Sequence, residues 1–233
     1  ENKTVVTDPW KGAKGNKWLP VLKKYKQKYE PLTEVKWIEY KPKGEILAMD
    51  KIFPHGHKIP EMFIGKNVVH LPTVKTHGHT TMTGAMKNAF GGLITQRRHH
   101  CHKMIHEVLV DLLQIQKEIH KGIFAVADGT VCGDGKGPRT MIPKVKDYLL
   151  ASDDQVAIDA ISAKMMGFDP MKIKFIKMAH DRGLGCGDVK QIDIVGEDIS
   201  RVNFNFSTGK SAVIWGDQLM RNNSKFIERV LFH

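Results

Sequence analysis

An α/β fold, with a mostly parallel sheet flanked by helices, is what this sequence predicts, and three observations carry the prediction. Short apolar runs at Val68–Leu71, Ile123–Ala127 and Tyr148–Ala151 read as buried strands. From His102 to His120 the residues Met104, Ile105, Val108, Leu109, Leu112, Leu113, Ile115 and Ile119 repeat on a 3.6-residue period, the mark of a long amphipathic helix. Strands alternate with helix-sized segments, and that alternation favours parallel pairing with helices on the faces.

Taken in order, the first sixty residues predict a basic helix around Trp18 to Tyr29 and strands at Val35–Tyr40 and Glu45–Met49, punctuated by six prolines from Pro9 to Pro60. Val68–Leu71 stops at Pro72. A polar stretch, Lys75 to Gly84, reads as a loop that feeds a helix starting at Ala85-Met86-Lys87-Asn88 and stopping at Gly91-Gly92. Asp128-Gly129 breaks the strand after Ala127, and Cys132 to Arg139 reads as loop. Asp154 is placed to N-cap a helix over Val156–Met166 that Gly167 ends. A further helix, Lys174–Asp181, ends at Gly183, and Val189–Val195 alternates as a strand. This divides the chain into an N-terminal basic segment, residues 1–64, separate or a truncated part of the same domain, and an α/β core over residues 65–233.

With 233 residues, 41% hydrophobic and 26% charged, the chain can bury a real core, so disorder and fibre are excluded for the whole. No segment approaches the roughly 20 apolar residues of a membrane span. Cytoplasm is the slightly favoured location, though a removed export signal fits as well. Three widely spaced cysteines build neither a disulfide framework nor, from this chain alone, an iron-sulfur cluster. Lysine and arginine exceed the acids by 36 to 25, so the net charge of +11 favours anions. Aromatic residues make up 8%, too few for the stacking platform of a nucleic-acid binder.

Ligands of parallel sheets bind beyond the carboxyl ends of strands, and the loops at His77, Asp128 and Ser152-Asp153-Asp154 start at such ends. Their convergence would gather His77, His79, Lys87, Asn88, Asp128, Asp134 and Asp153, enough for proton transfer or metal binding. His99, His102 and His106 have the i, i+3, i+7 spacing of one helix side, compatible with metal ligation or with a merely polar helix start. Gly133 to Gly137 lacks the spacing of a phosphate loop and reads as a tight turn. Asp159, among apolar neighbours, must be hydrogen-bonded because burying it alone is costly.

Leu71-Pro72-Thr73-Val74-Lys75-Thr76-His77, Met82 to Gly91, Asp128-Gly129 with Gly135-Lys136-Gly137-Pro138, Ala151 to Ala160, and Met166 to Pro170 together resemble the domain-of-unknown-function family 362. The resemblance implies an α/β fold and association with ferredoxin-like iron-sulfur segments, whose cysteine cluster this sequence does not carry. His77, Gly84 and Lys87, with the histidines after them, also resemble the nickel-pincer lactate racemases. That likeness implies a His acid/base and a Lys that holds the cofactor.

The expectation drawn from all this is an enzyme acting on a small anionic substrate by acid/base or isomerase-like chemistry, dependent on nickel, iron or a metallocofactor. His77, Lys87 and Asp128 are its candidate catalytic residues. Lys75, Thr83, Gly84, Asn88 and Asp134 are the candidate cofactor-binding set, and His77, His79, His102 and Asp153 the candidate metal ligands. The rival expectations are a non-catalytic module holding a phosphate or phosphorylated cofactor, and a redox-associated partner of a ferredoxin-like protein.

Overall fold

The computed structural model describes residues 9–94, 98, 100–137 and 141–209. Its elements are α1 (Pro9–Gly15), α2 (Trp18–Lys24), β1 (Trp37–Tyr40), α3 (Met49–Ile52), β2 (His57–Pro60), β3 (Asn67–His70), β4 (Thr73–His77), β5 (Thr81–Thr83), α4 (Ala85–Gly92), α5 (Ile105–Ile119), β6 (Gly122–Asp134), β7 (Ile142–Val145), β8 (Leu149–Ser152), α6 (Gln155–Met166) and α7 (Lys174–Asp181). Short 3-10 turns, among them His100–Met104 ahead of α5, fill several connections.

Everything in the main sheet is measured against β6. Ala125 lies opposite both His70 of β3 and Ser152 of β8, and Asp128 opposite both Thr73 of β4 and Leu149 of β8. A strand has two edges, so β3 and β4 follow one another along one edge of β6 and β8 and β7 along the other. Both pairings on the first edge are parallel, whereas β7, β8 and the outermost strand β5 run antiparallel to their neighbours. The α/β prediction holds, with a parallel heart extended by antiparallel strands. A register shift between Thr73 and Lys75 marks a bulge in the β4–β6 pairing.

One face of this sheet is the core. Ala125, Ala127, Cys132 and Val74 meet Met86 of α4, Leu109 and Leu113 of α5, Val156 and Ala160 of α6, and Phe175 of α7. A second cluster joins the far side of α5, through Val108, Leu112 and Ile115, to Ile59 of β2 and Met49 of α3, which fixes the N-terminal elements as an outer layer. The other sheet face carries exposed Val69, Phe124, Val131, Val145 and Leu149.

Three expected elements came out differently, each for a local reason. Asp128-Gly129 does not break the strand, because β6 is paired on both edges there; Gly129 is needed instead for close approach, since a Cβ on it would overlap the Tyr148 ring. Glu45–Met49 forms no strand because the buried Asp111 carboxylate takes the N–H groups of Leu47, Ala48 and Met49, at 2.8, 2.8 and 2.9 Å. Those donors are the ones a strand ladder would have used. Val189–Val195 is also no strand: Asp188 accepts from Lys190 N–H and the Gln191 amide, holding a 3-10 turn at Val189–Gln191. Asp154 does cap α6, accepting from Val156 and Ala157, and Gly167 ends that helix at φ +100°.

Asp159 is 1% exposed, and its two carboxylate oxygens accept from the first N–H groups of α4, Ala85 at 2.6 Å and Met86 at 3.1 Å. Gly84 is the residue that permits this approach, because a Cβ there would overlap the carboxylate. Replacing Asp159 with Ala strands two buried donors and is expected to cost about 1–3 kcal/mol in urea unfolding. Gly84→Ala alone should be at least as damaging, and the double variant less so than the sum of the two, because the clash disappears with the carboxylate. Strict additivity would overturn the pairing of these two positions.

Candidate functional site

The polar stretch read as a loop is a β-hairpin. Lys75 pairs with Thr83, Thr76 with Met82 and His77 with Thr81, leaving Gly78-His79-Thr80 as the connection. Its threonines are β-branched residues suited to strands. The hairpin delivers Lys75 and His77 from one strand and, two residues past Thr83, starts the helix that carries Lys87.

His77 is buried, and its Nδ1 accepts from the His79 main-chain N–H at 3.1 Å. The imidazole's single proton therefore sits on Nε2. Burial first, then the nearby Lys87, His79, His102 and Lys75, push its pKa down to about 3. His79 stands between His77 and His102, with ring centroids 5.7 and 5.4 Å apart, and His102 lies 5.9 Å from the Phe90 ring. The hairpin, one side of α4 and the 3-10 turn before α5 thus enclose one group of side chains.

Lys87 lies in the first turn of α4, where the helix dipole disfavours a cation. Burial, and then Lys75, lower its pKa to about 8, and burial lowers that of Lys75 too. Lys87 Nζ sits 5.2 Å from the Phe90 ring centroid. Among the described residues neither lysine has a carboxylate ion-pair partner. Two half-buried ammonium groups and a neutral imidazole N–H donor are thus grouped with no carboxylate paired to either lysine among the described residues.

The remaining candidates lie elsewhere or, like Thr83 and Gly84, adjoin these residues with other partners. Asp128 is exposed, four residues back along the strand pair from His77, and its Oδ1 accepts from Thr130 N–H at 2.9 Å and from the Thr130 hydroxyl. Asp153 is exposed and adjoins Ser152, which lies opposite Ala125 and so is level with His70; the strand path from His70 to His77 is roughly 23 Å. The expected convergence of three loops fails because β8 is antiparallel, which sends its carboxyl end the opposite way. Asp134 accepts from Ser207 N–H at 2.9 Å, and Thr83 donates to Thr73 C=O at 3.4 Å. Gly84 is the helix N-cap against Asp159. His99 lies outside the described residues, and among those described no three His, Cys, Asp or Glu side chains are grouped to hold a metal.

Asn88 belongs to a network that the sequence did not signal. Its Nδ2 donates to His70 Nδ1 at 3.1 Å, and His70 Nε2 donates to Oε1 of the fully buried Gln116 at 2.7 Å. Gln155 donates to Ala85 C=O at 3.2 Å, tying the same network to the start of α4. A buried Gln and a buried Asp111 inside the apolar period of α5 were the available hints.

The profile of the family described as Domain of unknown function (DUF362) matches residues 1–164. The chain belongs to that family. Lys75, His77, Lys87, His102 and Asp159 all fall within the DUF362 match, as do α1 and α2. Among curated proteins, a thylakoid-associated protein of Synechocystis sp. is 25% identical over 175 residues, covering 74% of this chain and 52% of the relative, so the chain spans about half that protein's length. No solved structure is significantly similar to it. Among the described residues no helix is long and apolar enough to cross a membrane.

The buried histidines make a prediction about acid. Desolvation holds His77 at about 3, His57 at about 4, and lowers His70, His106 and His120. Between those values and 6.5 the unfolded chain binds more protons, so stability is present above that window and is lost as pH falls through it. Asp159, raised by burial to about 7, acts the opposite way, because the folded state keeps its proton longer. The histidines outnumber it. The urea midpoint should therefore fall between about pH 7.5 and pH 5, and Asp159→Asn should steepen the fall.

Proposed function

We propose that this protein is an enzyme that binds a small anionic substrate, a carboxylate or phosphate, between Lys75, His77 and Lys87 and moves a proton on it. The observation that carries the reading is the pair of half-buried lysines, without a carboxylate partner among the described residues, beside a histidine whose tautomer is fixed. Uncompensated buried charge is costly, and a bound anion removes that cost. Lys87, with a pKa near 8, is mostly ammonium at neutrality and in that form pairs with the anion, while its minor neutral-amine form takes a proton from the substrate and returns it. His77 is too weak a base for that role at its lowered pKa. Its Nε2–H instead donates to a substrate oxygen where negative charge develops, and Lys75 supplies the second cation.

This assignment moves the proton-transfer role from His77 to Lys87 and leaves Asp128 out of the chemistry. The metal expectation finds less support: the side chains around His77 are cationic or neutral, which opposes a metal cation and favours an anion.

Isothermal titration with inorganic phosphate and with small 2-hydroxy carboxylates, paired with solvent-deuterium incorporation into the carboxylates followed by NMR, tests the proposal. Lys87→Gln is expected to weaken binding by about tenfold or more and to abolish exchange, while Asp153→Asn should change neither. Affinity should decline as pH rises past about 8, because the binding form is the protonated lysine. Binding that survives Lys87→Gln unchanged would sink the anion site, and binding without any exchange would reduce the protein to a binding module.

A further inference from the structure

The N-terminal helices present a surface that the proposed chemistry does not use. Residues 9–28 contain seven lysines, Lys11, Lys14, Lys17, Lys23, Lys24, Lys26 and Lys28, and no acidic residue. All seven are exposed. Among them stand Trp18, Val21 and Tyr25 at i, i+3 and i+7, one side of a helix, and they are 53%, 55% and 62% exposed.

None of the residues of α2 is buried, and seven residues are too few for a helix to persist in water on propensity alone. Its flanking residues Lys17 and Lys26 also hold left-handed backbone, which L side chains disfavour. A helix under these conditions that turns its apolar stripe outward lacks the packing that normally supports one. The start of α1 is nevertheless tied to the segment that follows α2. Trp10 Nε1 donates to Glu34 at 2.7 Å, its ring meets Tyr29 edge-on at 4.8 Å, and the Tyr29 hydroxyl donates to Pro9 C=O at 2.8 Å. Trp10, itself 44% exposed, is held by these contacts, whereas Trp18, Val21 and Tyr25 form the outward stripe.

We propose that α1 and α2 form a docking surface for an anionic lipid bilayer, with Trp18, Val21 and Tyr25 entering the headgroup–acyl boundary and the lysines pairing with acidic headgroups. The charge is complementary to that partner, and aromatic rings beside an aliphatic side chain suit an interface that is wet at one end and apolar at the other. A nucleic acid is the less favoured occupant. The stretch has lysine but no arginine, the residue that reads phosphate and bases bidentately, and Val21 gives a base nothing to stack on. Tyr25 does lie between Lys24 and Lys26, with Lys24 Nζ 5.3 Å from its ring centroid.

Co-sedimentation of the full chain with vesicles of phosphatidylcholine alone, and with about 30 mol % phosphatidylglycerol added, tests this. Anionic vesicles should bind at least about tenfold more protein than neutral ones, and about 0.5 M salt should remove most of the difference. Lys23→Glu with Lys24→Glu should abolish binding, whereas the same charge change at Lys172 and Lys190 should leave most of it. Trp18→Ala with Tyr25→Ala should weaken binding about tenfold even at low salt, and quenching of tryptophan by brominated lipid should drop in Trp18→Phe. Equal binding to both vesicle types, or equal loss from the control pair, would overturn the proposal. So would a duplex or single-stranded nucleic acid that binds through Lys23 and Lys24 while vesicles do not. Lys87→Gln should leave vesicle binding intact, so this inference and the anion-site reading fail separately.

Discussion

Two hydrogen bonds from a helix start to a buried carboxylate hold the architecture together. Asp159 on α6 receives the first free N–H groups of α4, and Gly84 clears the space for it. The contact joins two helices far apart in sequence and fixes where the hairpin ends and the helix begins. Lys87 sits two residues beyond the capped Ala85, so its position against His77 follows from that junction. Burial drives the Asp159 pKa upward while the two N–H donors oppose the shift, and the carboxyl titrates near neutrality as a result.

Around this junction the protein concentrates polar groups that ordinary cores avoid. His70, Gln116, Asn88 and Gln155 connect β3, α5, α4 and α6 through side chains, several of them fully buried. Such a network gives little net stability, but it tolerates few alternative packings and so specifies one arrangement. The lysine and histidine cluster adjoins the same helix, through Lys87 next to Asn88, and benefits from that rigidity. Preorganised donors bind an anion with less ordering entropy to lose. Desolvation also makes each charge there count for more than it would at the surface.

The two proposed surfaces differ in physical kind. The cluster at His77 relies on a few partly buried cations, whereas α1 and α2 rely on many exposed ones with an apolar stripe. Salt screens the second far more than the first. DUF362 membership covers both, and it constrains fold without naming chemistry.

The sequence by itself determined what depends on neighbours in the chain. The 3.6-residue period of α5, the Asp154 cap and Gly167 stop of α6, the bounds of α7 and the burial of Asp159 were all legible, because caps and amphipathic periods act within a turn or two. His77 and Lys87 were legible as polar residues on either side of a helix start. Partners across the sheet were not. Nothing near Gly129 told that Tyr148 would lie on it, nothing near Glu45 told that Asp111 would claim its neighbours' N–H groups, and nothing near Asp153 told that β8 would run antiparallel and carry it away from His77. Strand direction and register follow from which edges are free once the chain has collapsed, and only the tertiary structure decides that.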